Sequence, residues 1–379
     1  MTSRIVFLAH ALKAGGGISV GQNLIRAFRE ALPEGNYWAT VPENLGFEEF
    51  IGRQVRYLPF HQRNSLQQWR YENHTLPRLV GSLRPHLVLA LGNRALAPCP
   101  VAQYLLVHDA HLFYSSRYYA RESRKRRWLK ALQRRRLTRD LGRIDGLMLQ
   151  TGTAEERLRS RYGFKGRVVR LPNAVSVDVN PDDAAPLPPA YAQHGAATRL
   201  FYLTRYYAHK NIELLLEAYR RHRGRLSNTR LFLTIASSQH PGARRALEFI
   251  QQHRLHDLVI NLGPLPQTDI APYLLHAQAL VMPTTLESFS GTYLEAMACG
   301  TPIATSDLDF AREICGNAAL YFDPWSCESL VQAIEKLAGD APLRQALIGF
   351  GRSRLAQLQW DWDKNAHRLL DELERAHLL

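Results

Sequence analysis

Residues 281–305 read VMPTTLESFSGTYLEAMACGTPIAT. An apolar run enters a polar loop, a short helical stretch follows, Gly300 and Pro302 punctuate it, and a second apolar run begins. That order describes one parallel βαβ unit. In open α/β sheets ligands sit beyond the carboxyl ends of the strands. Glu287 falls just past the first strand and Glu295 about one turn inside a helix that starts near Ser290. Both carboxylates are therefore expected to face one crevice.

Between them, Ser288, Phe289, Ser290, Gly291 and Thr292 are mostly small, so backbone N–H groups can approach a ligand where the helix dipole favours an anion. This describes a seat for a diphosphate. Two carboxylates beside it would repel that anion unless they serve polyol neighbours, because a carboxylate accepts well from paired sugar hydroxyls. A diphosphate flanked by two polyols is a nucleotide-sugar. The competing reading makes Glu287 a loop charge and Glu295 a carboxylate placed for the helix dipole.

Working outward, 379 residues allow about two domains with full cores. Hydrophobic residues at 46% against 22% charged argue against disorder. Cys99, Cys299, Cys315 and Cys327 show neither metal-ligand spacing nor close pairing, which suggests a reduced, cytoplasmic protein. The opening MTSRIVFLAHAL is too quickly interrupted by Lys13 and glycines to read as a signal peptide, and no run is long enough to span a membrane.

The net charge is +14, and it is concentrated. Between Arg117 and Arg143 there are twelve Lys or Arg against two acids, which implies an anionic partner or surface. Trp128, Leu129, Leu132, Leu137 and Leu141 recur there at roughly helical spacing. Such a helix can lie on an anionic membrane, with Trp128, Phe113 and the Tyr114, Tyr118 and Tyr119 cluster inserting at the interface. Nucleic acid is less favoured, since no recognised binding motif accompanies the charge. A solvated basic helix packed by its leucine stripe is the third reading.

The chain opens with an apolar strand run, Arg4 to Ala9, then Gly15, Gly16 and Gly17, then a helix from about Ser19 past Leu32. This is the start of a doubly wound domain, and the triplet lacks the full dinucleotide fingerprint. Further strand candidates follow at 37–41, 55–58, 87–91, 102–107, 147–150 and 168–171, alternating with helical patterns, so a mainly parallel sheet is expected. His108, Asp109 and His111 close one of these strands at the end that opens on a ligand crevice. A structural histidine and a metal site are the alternatives there, although no third ligand set is suitably spaced. A Pro-, Asp- and Ala-rich stretch marks the linker.

The second half repeats the pattern, with strands near 199–204, 231–236, 258–262, 279–282 and 318–322. Arg205 and Lys210 lie between the first of these and a helix beginning near Asn211. Two cations there could neutralise a leaving diphosphate as charge develops on it. The alternative is two exposed loop cations.

The segment 287–324, ESFSGTYLEAMACGTPIATSDLDFAREICGNAALYFDP, resembles the donor-binding segment of the retaining glycosyltransferases of family 4, glycosyl transferases group 1, whose signature is two glutamates eight positions apart. The match extends through Ala296, Gly300, Thr301-Pro302, Glu313 and Asp323-Pro324. The resemblance implies a GT-B fold, two Rossmann-like doubly wound domains facing across a cleft. It further implies an acceptor-binding domain at 1–176, a linker at 177–197, a donor-binding domain at 198–358 and a last helix within 359–379 returning to the first domain.

The same resemblance puts Glu295 on the nucleotide ribose, Glu287 on the donor sugar, and the backbone from Ser288 to Gly291 near sugar and phosphate. Arg205 and Lys210 would face the diphosphate, His108 or Asp109 the reacting centre, Gly263 the base, and Gly15 to Gly17 the donor phosphates and acceptor. Ser288 and Ser290 stand where many relatives carry glycine, which bears on how the sugar is held. The implied reaction moves a hexose, mannose-like or other, from a nucleoside-diphosphate sugar to a hydroxyl with retained configuration. No cofactor or metal is expected beyond that donor. The basic helix points to a lipid-linked or surface-polysaccharide acceptor at the inner face of the cell membrane. A GT-B epimerase or phosphorylase, or a nucleic-acid-binding protein on a vestigial transferase fold, would share parts of this pattern.

Overall fold

The computed structural model describes residues 3–12, 16–43, 45–47, 55–58, 65–175 and 185–379. They form two units. Unit 1 comprises Met1–Tyr114, Arg124–Ala174 and Trp360–Leu379, and unit 2 comprises Ser115–Ser123 and Val175–Gln359.

Among the described residues, unit 1 is built on seven strands: β1 (Arg4–Leu8), β2 (Asn36–Thr40), β3 (Val55–Tyr57), β4 (Leu87–Ala90), β5 (Ala102–Leu106), β6 (Gly146–Leu149) and β7 (Arg167–Arg170). All pairs are parallel, in the order β3-β2-β1-β4-β5-β6-β7. Strands covered on both faces read as continuous apolar runs, and β4 (LVLA) is buried throughout. The helix Gly16–Ala31 presents Val20, Leu24, Ile25 and Phe28 to the sheet, and the helix Trp362–Arg375 adds Ala366, Leu369, Leu370 and Leu373 to the same core. Asn365 fixes that last helix, its buried amide donating to the carbonyl of Pro172 at 2.6 Å.

Unit 2 carries β8 (Thr198–Tyr202), β9 (Thr229–Leu233), β10 (Val259–Asn261), β11 (Ala279–Met282), β12 (Ile303–Ser306) and β13 (Ala319–Phe322). They too are all parallel, in the order β10-β9-β8-β11-β12-β13. Both sheets therefore have the doubly wound order, with the strand sequence reversing between β1 and β4 and between β8 and β11.

Three local differences from the sequence reading have clear causes. The stretch read as linker is partly folded: residues 189–192 form a helical turn, and Tyr191 is buried with its ring 4.5 Å from Phe232. Residues 115–123 leave unit 1 and pack in unit 2. The aromatic group expected to insert in a membrane is mostly unavailable, because Phe113, Tyr114, Tyr118 and Tyr119 are buried in the protein. Trp128 alone among them is exposed, at 62%.

That tryptophan belongs to the helix Arg124–Leu141, which buries only Leu137, Asp140 and Leu141. Its attachment is polar. Asp140 accepts from the backbone of Ala95 at 3.2 Å, and Arg136 lies 3.6 Å from Glu72. Leu129 and Leu132 stay exposed beside Trp128, so the leucine stripe is split between core and solvent. No helix among the described residues is long and apolar enough to cross a membrane.

Candidate nucleotide-sugar site

The reversal of strand order in unit 2 puts two loops side by side at the carboxyl ends of β8 and β11. Lys210 lies in the first loop and Glu287 in the second, and the Lys210 ammonium meets Glu287 Oε1 at 2.5 Å. Both side chains are largely withdrawn from water, at 16% and 11% exposure. A pair this sheltered is screened little by salt, and losing either partner leaves an uncompensated charge.

The loops are tied together by their backbones. Asn211, held in the left-handed region at φ 56°, donates through Nδ2 to the carbonyls of Pro283 at 3.1 Å and Pro324 at 2.8 Å. Asparagine suits that conformation, and its amide supplies two donors. Tyr202 OH donates to the Lys210 carbonyl at 2.7 Å. The neighbouring His209 lends its carbonyl to the Thr285 amide at 2.8 Å, and its ring stacks on Tyr207.

The helix Gly291–Ala298 follows Glu287, with Ser290 at its N-cap and no acidic residue in its first turn. The Ser290 side chain caps none of its amides. Glu295 is buried on this helix. Burial, with the Glu295 charge adding to it, pushes the Cys299 thiol up to about 12. Gly300 at φ 66° ends the helix, and Gly263, beyond β10, adopts φ 75°. Both positions favour glycine for backbone reasons alone. Ser288 and Thr292 are half-buried, whereas Phe289 packs inward. Arg205 is exposed, and its side chain makes no hydrogen bond or ion pair among the described residues, so the structure does not join it to Lys210.

Unit 1 gathers the other sequence-selected residues at the carboxyl ends of β1, β4 and β5. Asn93, at φ 61°, accepts through Oδ1 from the amides of His108 at 2.8 Å and Asp109 at 3.0 Å. Its Nδ2 lies 3.2 Å from His108 Nε2. A Cβ at Gly17 would come within 3.0 Å of that nitrogen, so the helix start approaches the imidazole closely because it is glycine. Gly16 lies beside it at the helix start, whereas Gly15 lies outside the described residues. Burial lowers the His108 pKa against the opposing pull of Asp109, so the ring is held neutral. His111 is buried, and burial again lowers its pKa.

A polar cluster missed by sequence reasoning sits beside this group. Glu72 accepts from Arg94 at 2.8 Å and from Gln68, also at 2.8 Å, and lies 3.6 Å from His10, whose other nitrogen meets Thr40 at 2.8 Å. Burial raises the Glu72 pKa, but His10, Arg94 and Gln68 together overcome it and hold the carboxyl down at about 2. Among the described residues no group of three or more His, Cys, Asp or Glu is placed to hold a metal ion.

Residues 191–354 match the family model for glycosyl transferases group 1. That stretch, which lies within unit 2, is similar to the family. Among curated relatives, the chain is 27% identical over 213 residues to the O-antigen chain mannosyltransferase B of Escherichia coli, covering 54% of this chain and 55% of that one. The chain spans about half the length of the curated relatives it matches best in extent. Among solved structures, sucrose-phosphate synthase from Thermosynechococcus elongatus superposes with a TM-score of 0.76 at 18% identity, covering 99% of both chains. Anabaena HepE in complex with UDP and glucose gives a TM-score of 0.72 at 15% identity, covering 98% of this chain and 100% of that one. The two parallel sheets are thus those of the GT-B fold.

Proposed function

We propose that this protein takes a hexose from a nucleoside-diphosphate sugar and passes it, with retained anomeric configuration, to an acceptor hydroxyl. The observation that carries this reading is the sheltered Lys210–Glu287 pair beside the start of the helix Gly291–Ala298. A cation and a helix N-terminus together favour a diphosphate, and charge developing on the leaving phosphate strengthens both interactions. On this reading Glu287 exchanges its hold on Lys210 for the donor hydroxyls, and Glu295 accepts from the ribose. Ser288 to Thr292 line the sugar and diphosphate, Gly263 lies by the base, and Arg205 turns in from solvent as a second cation.

His108 and Asp109 serve the reacting centre, with Gly16 and Gly17 letting substrate approach. A neutral imidazole can hydrogen-bond a sugar hydroxyl without adding charge beside the anion. For the acceptor, the exposed Trp128, Leu129 and Leu132 among basic residues favour a lipid-linked or surface-polysaccharide intermediate presented at an anionic membrane. The mannosyltransferase relative makes a mannosyl nucleotide a leading donor to try, and the UDP complex of the structural neighbour makes UDP-sugars another.

The test is thermal unfolding of the wild type and Glu295→Ala against UDP-, GDP-, ADP- and dTDP-sugars. A ligand at 100 times its dissociation constant stabilises the native state by about 2.7 kcal/mol. One base class is expected to shift the wild type, and the variant to lose that shift. A panel in which no nucleotide-sugar moves the wild type sinks the reading.

A further inference from the structure

One of the segments that meet around Lys210 and Glu287 comes from far upstream. Ser115–Ser123 lies between two stretches of unit 1 in sequence yet packs in unit 2. Within it the turn Ser116–Tyr119 offers the carbonyl of Tyr118 to the Thr285 hydroxyl, at 2.6 Å and out of contact with water. Thr285 stands two residues before Glu287. Its amide holds the carbonyl of His209, the residue before Lys210, so one threonine touches both sides of the ion pair's scaffold. The segment is fastened at two further points: the Tyr118 ring lies 6.3 Å from that of Trp325, and Arg121 lies 3.4 Å from Glu213.

We propose that Ser115–Ser123 is a positioning strap for the donor pocket, acting through the Thr285 hydroxyl to set where Glu287 stands relative to Lys210. This rests on the reading that these two residues hold the donor. The physical argument concerns the loop's freedom. Glu287 ends a stretch that has left β11 and not yet entered a helix, so no ladder or helical hydrogen bonds fix it. Its position is set by the ties upstream, namely the Thr285 amide and the Thr284 and Thr285 hydroxyls on the His209 carbonyl, the Asn211 amide on Pro283, and the shorter contact of the Thr285 hydroxyl with Tyr118. Of these, the contact with Tyr118 alone reaches a distant segment, 167 residues away in sequence. A valine of nearly the same shape fills the space but leaves the Tyr118 carbonyl buried without its donor, which costs enough to move the strap or the loop.

A plain stabilising bond would lower the unfolding midpoint and leave ligand affinity of the folded protein intact; a positioning bond changes that affinity. Thr285→Val, Thr285→Ser and Tyr118→Ala are titrated with UDP, GDP, ADP and dTDP by calorimetry, well below their unfolding midpoints and with folding checked by circular dichroism. The wild type is expected to bind one of the four. Thr285→Val and Tyr118→Ala should bind it about fivefold more weakly or worse, and Thr285→Ser, which keeps the donor, within about twofold of wild type. Wild-type affinity in folded Thr285→Val or folded Tyr118→Ala overturns the strap while leaving the donor site standing. Should the wild type take up none of the four nucleotides, the donor site itself falls, and the strap with it.

Discussion

At the scale of single residues, Lys210 has two partners in prospect. In the free protein it neutralises Glu287, and on the proposed reading it later faces a diphosphate whose charge grows as the sugar departs. Lys210→Ala should therefore lower turnover by a factor of about 100 or more, with a smaller effect on donor affinity, because the interaction strengthens in the transition state. Steady-state kinetics of the variant checks this, and unchanged turnover removes the role. Residue chemistry of this kind was legible in the sequence. A carboxylate, a cation and small residues at strand ends advertise themselves by type and position. Thr285 and Asn93 did not, because each matters through a backbone group that the sequence places far away or in another loop. The Glu72 cluster was hidden for a related reason: His10, Glu72, Arg94 and Arg136 lie on four separate segments, and only folding turns their scattered charges into one network.

Among the elements, the strands were readable in both halves because each is a short apolar run bounded by turn residues, and the parallel alternation with helices left little choice of sheet. The helix Arg124–Leu141 was readable as a helix but not in its attachment. Its leucine spacing allowed a packed stripe as one reading beside a membrane-surface helix, whereas only residues of the last turns are buried, and Trp128, Leu129 and Leu132 of the basic first half are left in solvent. That geometry sets an expectation for the element. Vesicles rich in anionic lipid should carry the protein upward in a flotation gradient at low salt and release it as salt rises, since each basic residue near the surface contributes about 1 kcal/mol that ions screen. Trp128→Ala should weaken the residual attachment at moderate salt. Protein that stays at the bottom of the low-salt gradient rules the membrane out as this helix's partner.

On the scale of the whole molecule, two doubly wound units with separate sheets are expected to unfold as two linked transitions in calorimetry. The nucleotide that binds should raise the transition belonging to unit 2 more than the other, because ligand linkage acts first on the part that holds the ligand. Trp325 gives a way to tell them apart: it is the one tryptophan of unit 2, all five others belonging to unit 1, so its fluorescence in a protein whose other tryptophans are replaced by phenylalanine reports that transition alone. Equal shifts of both transitions would place the nucleotide elsewhere. The way the chain is threaded also limits how the protein can be dissected. It passes from one unit to the other at 114–115, 123–124, 174–175 and 359–360. A single cut after residue 174 therefore strands the helix Trp362–Arg375 on the wrong fragment and parts the Thr285 hydroxyl from the Tyr118 carbonyl, so neither half is a whole folding unit. A faithful excision of unit 2 requires the nine-residue segment to be grafted back, and a gene split for complementation should be expected to fail at that apparently obvious seam.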